Sequence, residues 1–418
     1  MLSPHEERVC GLLAARAAAM RADLERFVAI PTGGGHAPGL DALRGLLTAR
    51  LAALGAAIQL VPGAPRPDWL YSPASARGAA SDSPSTPASV ARRDSGGRGR
   101  PLLLVGHLDT VHDPRGPFQA LTPAPDGATA IGPGCADMKG GIVVALHALE
   151  ALAEAGLDLD WTFVLNSDEE SGSYHSEPVL RHEAGRLVPR RGAGLVFEPA
   201  AEGGALVVER GGSGQFLLDV RGRAAHVGRD FFDGVSAVQA LAQFILAAER
   251  LSDRQRGLIV NIGPLEGSEA TNVVPPRARA WGNVRFPGPA EARELREKLE
   301  ALATPGPAPG APPAEPPVVR VLTSFIRPAK PLSDPTRRLA ELARHVALSL
   351  GQALPFTRTG GVCDGNILQD AGLACIDTLG VRGGGLHTER EWVDLPSLVE
   401  RAKLAALVML RAAAADEP

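Results

Sequence analysis

Five acidic and histidine motifs, spread over almost the whole chain, carry side chains that can hold metal and activate water. In order they are His107-Leu108-Asp109, Asp137 within Gly134-Cys135-Ala136-Asp137-Met138-Lys139-Gly140-Gly141, Glu169-Glu170, Glu198 and His387. Imidazoles and carboxylates are the donors zinc takes when it must keep a position open for water, so the set predicts a two-metal hydrolase centre. A structural zinc site would draw on cysteine, and Cys10, Cys135, Cys363 and Cys375 show no Cys-x-x-Cys spacing. Singly the motifs say little. Glu-Glu in a loop is usually a solvated charge pair, a lone His after a strand is usually a surface or core residue, and an Asp before Gly-Gly is usually a turn or helix cap. Their order and settings carry the reading.

Those settings are strand ends and a helix start. Leu102-Leu103-Leu104-Val105 is a short apolar run closed by Gly106, which predicts a buried strand. His107 then falls at its carboxyl end, where open α/β sheets place their sites. Asp109, two residues on, points to the same side and can accept the other ring N–H of His107. Trp161-Thr162-Phe163-Val164-Leu165 predicts a second strand, ending at Asn166-Ser167-Asp168-Glu169-Glu170, and Leu195-Val196-Phe197 a third, ending at Glu198-Pro199. Asp137 precedes the apolar stretch Ile142 to Leu152, which predicts a helix.

From about residue 20 onward the chain resembles the zinc metallopeptidases that include glutamate carboxypeptidase, aminoacylase, acetylornithine deacetylase and succinyl-diaminopimelate desuccinylase, the glutamate carboxypeptidase branch most of all. Besides the motifs above, Gly106 to Val111, Gly132 to Gly141, Ser167 to Ser173, Phe197-Glu198-Pro199, Gly222-Arg223-Ala224-Ala225-His226-Val227-Gly228 and Leu386-His387-Thr388-Glu389 carry the likeness. The resemblance implies two Zn2+ per subunit, with Co2+ or Mn2+ as substitutes. Asp137 would bridge them, His107 and Glu198 completing one metal and Glu170 and His387 the other. It further implies Glu169 as general base, Asp109 as orienter of His107, and a cis peptide at Asp137–Met138.

Physical chemistry supports these roles. Paired zinc ions bring the pKa of a shared water toward neutrality, and Glu169, beside a ligand yet unbound, can accept its proton and deliver it to the departing amine. A donor beyond the metal stabilises the oxyanion. In the family that donor is a histidine of the smaller domain reaching the other subunit's site, and His226 matches it; taken alone, His226 reads as a turn histidine. A free α-carboxylate calls for arginine. Arg327, in Phe325-Ile326-Arg327-Pro328, matches the family arginine that pairs with it, although any one arginine is by default a surface charge. Asn272 and Arg285 resemble smaller-domain residues that reach the site, and Gly360-Gly361-Val362-Cys363-Asp364-Gly365-Asn366 resembles the glycine-rich loop of the substrate pocket. Cys135 and Cys363 depart from the usual pattern; Cys135 reads as a buried thiol, and Cys363 as a residue that shapes the pocket.

At 418 residues the chain holds more than one domain. A net charge of −4 gives no basic footprint for nucleic acid. Four unpaired cysteines point to a reducing compartment. The acidic start, Met1 to Arg8, leads toward an amphipathic helix rather than a signal peptide, and no apolar run is long enough to span a membrane. The expectation is a cytoplasmic enzyme with no membrane partner.

Two helices are expected near the start, one closing over Leu24 to Ile30 and one over Leu40 to Leu54. The segment 71–100, rich in Ser, Ala, Pro, Gly and Arg, is expected to be a disordered insertion. From Gly211, strand–helix–strand–strand–helix signals predict a small α+β sandwich, closed by the Pro-rich run Thr304 to Pro317. The fold class is thus α/β: a catalytic α/β/α lobe with a mixed, largely parallel sheet (1–210 and 322–418), interrupted by a two-layer dimerisation or lid domain (211–321) that the resemblance makes the homodimer interface. Linkers between such lobes usually permit hinge closure. The leading function is cleavage of an amide bond to a C-terminal amino acid, from a small peptide or N-acyl amino acid. An N-acyl amino acid deacylase or dipeptidase with the same chemistry stands second, and a non-catalytic small-molecule binder third.

Overall fold

The computed structural model describes residues 1–70, 87–96, 99–305 and 314–414. Its larger sheet has six strands in the order Ala57–Val61, Ala88–Arg93, Trp161–Asn166, Leu102–His107, Ala193–Val196, Ala374–Ile376. The last four run parallel; the two at the Ala57 edge are joined antiparallel. Leu102-Leu103-Leu104-Val105 is apolar at every position because both faces are covered. Leu102 and Leu104 enter a core shared with helices Pro4–Ala15, Ala17–Val28, Ala37–Ala53, Lys139–Glu154, Asp334–Ser349 and Pro396–Ala414. Leu103 and Val105 enter a second core with Glu177–Leu187 and Asp364–Asp370. This is the α/β/α lobe with a mixed, largely parallel sheet expected from the sequence.

Two local expectations change. Three helices, not two, precede the first strand, because a break at Arg16 divides an alanine-rich run whose propensity marks no boundary. The Arg16 guanidinium instead reaches Glu150 and Glu154, each at 2.6 Å. Ala88–Arg93, inside the segment expected to be disordered, is a strand paired on both sides. Main-chain hydrogen bonds hold it where large apolar side chains are lacking; residues 71–86 and 97–98 lie outside the described residues.

The smaller sheet is antiparallel, in the order Ile259–Glu266, Arg277–Phe286, Gly212–Arg221, Val318–Arg327. Helices Ala237–Glu249 and Pro289–Glu300 pack on it over Phe216, Leu218, Val220, Ala278, Ala280 and Val284. This is the expected two-layer α+β unit with one further strand. Val318–Arg327 runs past residue 321, the expected end of the inserted domain, and delivers Arg327 at its last position.

A third small sheet joins Gly383–Gly384, Trp392–Asp394, Thr129–Ile131 and Thr122–Pro123. Because Trp392–Asp394 pairs antiparallel with Thr129–Ile131, the chain after Ile131 and the chain before Trp392 meet at one end. No helix among the described residues is long and apolar enough to cross a membrane.

Candidate active site and metal centre

Four candidate ligands stand at or shortly beyond the end of an element, and the fifth in a turn. His107 closes the Leu102–His107 strand, Glu198 lies two residues past the Ala193–Val196 strand, and Glu169-Glu170 follow the Trp161–Asn166 strand. Asp137 precedes helix Lys139–Glu154 by two residues, with a cis peptide bond to Met138. His387 sits between two short strands in the left-handed region, at φ 62°. The glycine pair after Lys139 is a packing requirement. A Cβ at Gly141 would lie 1.9 Å from the Phe197 carbonyl oxygen, and one at Gly140 2.5 Å from that of Cys135. Bare backbone there lets the helix begin against the strand end that carries Glu198.

The result is two triads sharing Asp137. One ligand atom from each of His107, Asp137 and Glu198 lies within 4.8 Å of the others, and the same holds for Asp137, Glu170 and His387. His107 Nε2 is 3.1 Å from Asp137 Oδ1 and 3.9 Å from Glu198 Oε1. His387 Nε2 is 3.4 Å from Asp137 Oδ2 and 3.3 Å from Glu170 Oε2. The two oxygens of Asp137 therefore face different histidines.

The electrostatics ask for cations. Burial, then the neighbouring Asp137, pushes Glu198 well above the usual carboxylate range, and its buried Oε1 has no hydrogen-bond partner. Burial also raises Glu170. Burial disfavours charge on His107, yet Asp109 and Asp137 hold it well above its ordinary value. Asp137, opposed by burial, is kept low by His107 and His387, while Asp137 and then Glu170 push His387 up to about 10. A buried, orphaned carboxylate oxygen facing nitrogen and oxygen donors fits divalent metal of the zinc class, which displaces protons as it binds.

Around the triads, His107 Nδ1 lies 2.9 Å from the Asp109 carbonyl oxygen and 3.6 Å from its carboxylate. The backbone thus makes the nearer contact to the ring. The carboxylate accepts the backbone N–H groups of Glu169 and Glu170 at 3.2 and 2.9 Å, anchoring their loop. Glu169 belongs to neither triad. Arg327 Nη1 donates to Glu169 Oε1 at 2.8 Å, and its Nη2 to the Glu169 carbonyl and Ser173 Oγ at 2.8 and 2.7 Å. Burial opposes the Arg327 charge, but Glu169 and Asp364 raise its pKa above the ordinary value.

A cavity of about 360 Å3 opens here, lined by Glu169, Glu170 and His387 and, across from them, by Asn283, Arg285, Arg327 and Gly361. Arg285 Nε donates to Asn283 Oδ1 at 3.0 Å; burial, then Arg327, lowers its pKa. A larger cavity of about 840 Å3 beside helix Pro396–Ala414 holds none of the candidate residues. His226 and Asn272 stand apart from the 360 Å3 cavity, exposed on the smaller unit. They are neighbours: the Val227 N–H donates to the Asn272 carbonyl at 3.0 Å, and Gly228 N–H to His226 Nδ1 at 3.1 Å. Gly360 packs near Gly211 outside the lining. Cys135 is buried and in neither triad, and Val362 rather than the buried Cys363 lines the cavity.

Two acids escape sequence reasoning. Asp364 accepts Ser173 Oγ at 2.6 Å and Asn166 Nδ2 at 2.5 Å, and burial pushes its pKa to about 6. The available signal is one acid in the otherwise uncharged stretch Gly360 to Asn366. The other is Glu391, four residues after His387, buried against the Asp137 loop.

Residues 103–411 match the family model of peptidase family M20/M25/M40. The chain is 28% identical to carboxypeptidase G2 of Pseudomonas sp. (strain RS-16) over 397 residues, 93% of this chain and 88% of that protein. It is 31% identical to a succinyl-diaminopimelate desuccinylase of Methylobacterium nodulans over 334 residues, 74% and 78% of the two. Among solved structures, a tripeptidase from Staphylococcus aureus superposes with a TM-score of 0.69 at 20% identity, covering 96% of this chain and 99% of that one. An M20 family metallo-carboxypeptidase from Sulfolobus solfataricus gives 0.64 at 14% identity, covering 93% and 98%. At these identities the structures bear on fold alone. The chain belongs to peptidase family M20/M25/M40 and is a hydrolytic metallopeptidase.

Proposed function

We propose that this enzyme is a two-zinc exopeptidase of carboxypeptidase type, cleaving the amide bond to a C-terminal amino acid with Glu169 as general base. The observation that carries the reading is the pair of triads sharing Asp137, with the carboxylate of Glu169 beside them but in neither. Bound ions of this class polarise a carbonyl and acidify a water; the remaining tasks fall to the chain. Glu169, tied through Oε1 to Arg327, uses its other oxygen to take a proton from the attacking water. As the C–N bond breaks, it returns that proton to the leaving amine. His107, donating Nδ1–H to the Asp109 carbonyl, presents the Nε2 lone pair toward Asp137 and Glu198. Arg285, on the cavity wall, supplies a guanidinium for a substrate carboxylate, and Arg327, already bonded to Glu169, Gly172 and Ser173, adds its positive charge beside it.

Carboxypeptidase G2, by its name a carboxypeptidase, is similar over 93% of this chain, which supports the carboxypeptidase reading. His226 and Asn272, exposed and away from the cavity, suit a role in a partner subunit's site, with the unit around residues 211–321 as the homodimer interface and the cytoplasm as its place. A second reading, an N-acyl amino acid deacylase, is supported by the likeness to a succinyl-diaminopimelate desuccinylase. Zinc content together with hydrolysis of N-acyl glutamates, N-acetyl amino acids and dipeptides tests both. Preference for N-acyl glutamates supports the first reading, and preference for N-acetyl amino acids the second. Zinc-loaded protein inert on the whole panel overturns both.

A further inference from the structure

We propose that Glu391 is a positioning residue of the metal centre, a single buried carboxylate that fixes three ligand-bearing segments relative to one another. The inference rests on the metal reading above and concerns a residue outside both triads. Glu391 is 1% exposed. Its Oε1 accepts the backbone N–H groups of Ala136 and Asp137 at 2.9 and 3.0 Å. Its Oε2 accepts the Gly134 N–H at 2.9 Å and lies 2.7 Å from His112 Nε2. Its own carbonyl accepts the Gly132 N–H at 3.1 Å.

These partners are the segments that hold the ligands. Gly132 to Asp137 carries the shared aspartate, His112 lies five residues past His107, and the Glu391 N–H donates to the Thr388 carbonyl at 3.0 Å, closing the turn directly after His387. The His387 side chain is half exposed and meets Asp137 and Glu170 only through Nε2, so its backbone position rests on the adjoining turns. The His112 end has no slack either. A Cβ on Gly33 would lie 1.6 Å from the His112 carbonyl oxygen, so the strands of chain there are in direct contact. A carboxylate suits the position because all four side-chain partners are donors to two oxygens. Glutamine would turn an NH2 toward one pair of them. A buried acid that merely satisfied a loop would affect stability alone; one that sets ligand spacing must also alter metal affinity and ligand field.

The test uses the full chain as wild type, Glu391→Gln and Glu391→Asp, titrated with Co2+ after metal removal and read by visible absorption, with melting temperature measured on the metal-free forms. Glu391→Gln is expected to bind Co2+ about 10- to 100-fold more weakly, as for other residues that orient metal ligands, and to shift the absorption bands. Turnover should fall in kcat with KM nearly unchanged, and Glu391→Asp should recover part of the affinity. Should Glu391→Gln not fold, His112→Phe removes one of the four partners while keeping a ring of similar shape, and weaker Co2+ binding by that variant supports the proposal in its place. Wild-type Co2+ affinity and spectrum in a folded Glu391→Gln, or in His112→Phe where that variant stands in, overturn it while leaving the metal reading intact. Wild-type protein that takes up no Co2+ overturns the metal reading and this inference with it.

Discussion

Arg327 and Glu169 meet across the seam between the two sheets, Nη1 to Oε1 at 2.8 Å. Arg327 is the last residue of the smaller sheet's Val318–Arg327 strand, whereas Glu169 follows a strand of the larger sheet. The second guanidinium nitrogen holds the Glu169 carbonyl and Ser173 Oγ. The inserted unit therefore sets the orientation of the proposed base, and any swing of that unit reaches the chemistry through this contact.

Arg327→Lys keeps the charge and loses the fork. An ammonium cannot satisfy Glu169 Oε1, the Glu169 carbonyl and Ser173 Oγ together. Charge-assisted hydrogen bonds contribute about 1.5–3 kcal/mol, so kcat/KM should fall roughly 10- to 100-fold. Steady-state kinetics on the preferred substrate decide the matter, and a variant at wild-type kcat/KM would show that the fork is incidental.

Glu169→Ala should keep its metal and lose turnover by about 10²- to 10⁴-fold, the usual contribution of general base catalysis. Neither triad includes Glu169, so metal analysis beside kinetics separates loss of the base from loss of the site. Undiminished kcat would refute the assignment.

The larger sheet was legible because its strands are buried on both faces and read as unbroken apolar runs, as at Leu102 to Val105 and Trp161 to Leu165. His107, Asp137, Glu170 and Glu198 were legible because each lies near such a run or a helix start, whereas His387 was legible only through the stretch Leu386-His387-Thr388-Glu389. Ala88–Arg93 hid behind small and charged residues, since its place comes from main-chain pairing on both sides. Val318–Arg327 escaped for a different reason: its apolar residues Val318, Val319, Val321, Leu322, Phe325 and Ile326 mark a strand, but it is a half-buried edge strand entered straight from a proline-rich run. Asp364 and Glu391 act through backbone, hydroxyl, amide and imidazole groups brought from 191 to 279 positions away, a pairing no local pattern encodes. Distance in the fold, as for His226 against the cavity, is likewise invisible in spacing.

Asp377 ties together two buried cations, Arg210 at 2.8 Å and Lys330 at 3.2 Å. Burial opposes its charge, but Arg210 and Lys330 win and hold its pKa below the ordinary 3.8. A depressed carboxylate pKa contributes stability above pH 3.8 that is lost as pH falls below that value toward the folded-state pKa. Asp377→Asn leaves both cations unpaired and should cost about 3–5 kcal/mol at pH 7. Urea unfolding of both proteins should show that gap narrowing below pH 4; a gap independent of pH would mean that Asp377 acts through packing.

Metal uptake should release protons, and the sign follows from His387. In the metal-free protein Asp137 and Glu170 raise it from 6.5 to about 10. Its charge therefore stabilises the metal-free fold fully below pH 6.5 and progressively less as pH rises toward 10. His107 is raised in the same direction. Metal takes neutral imidazole, so binding near pH 7 must expel the His387 proton, and the upward shifts of His107 and Glu198 act in the same sense. Apparent affinity should then drop about tenfold per unit of acidification for each proton exchanged. Calorimetric Zn2+ titration in buffers of different ionisation enthalpy counts the protons directly. His387→Ala should lower the count by one, and binding with no proton release would contradict the charged, cation-seeking centre inferred from the triads.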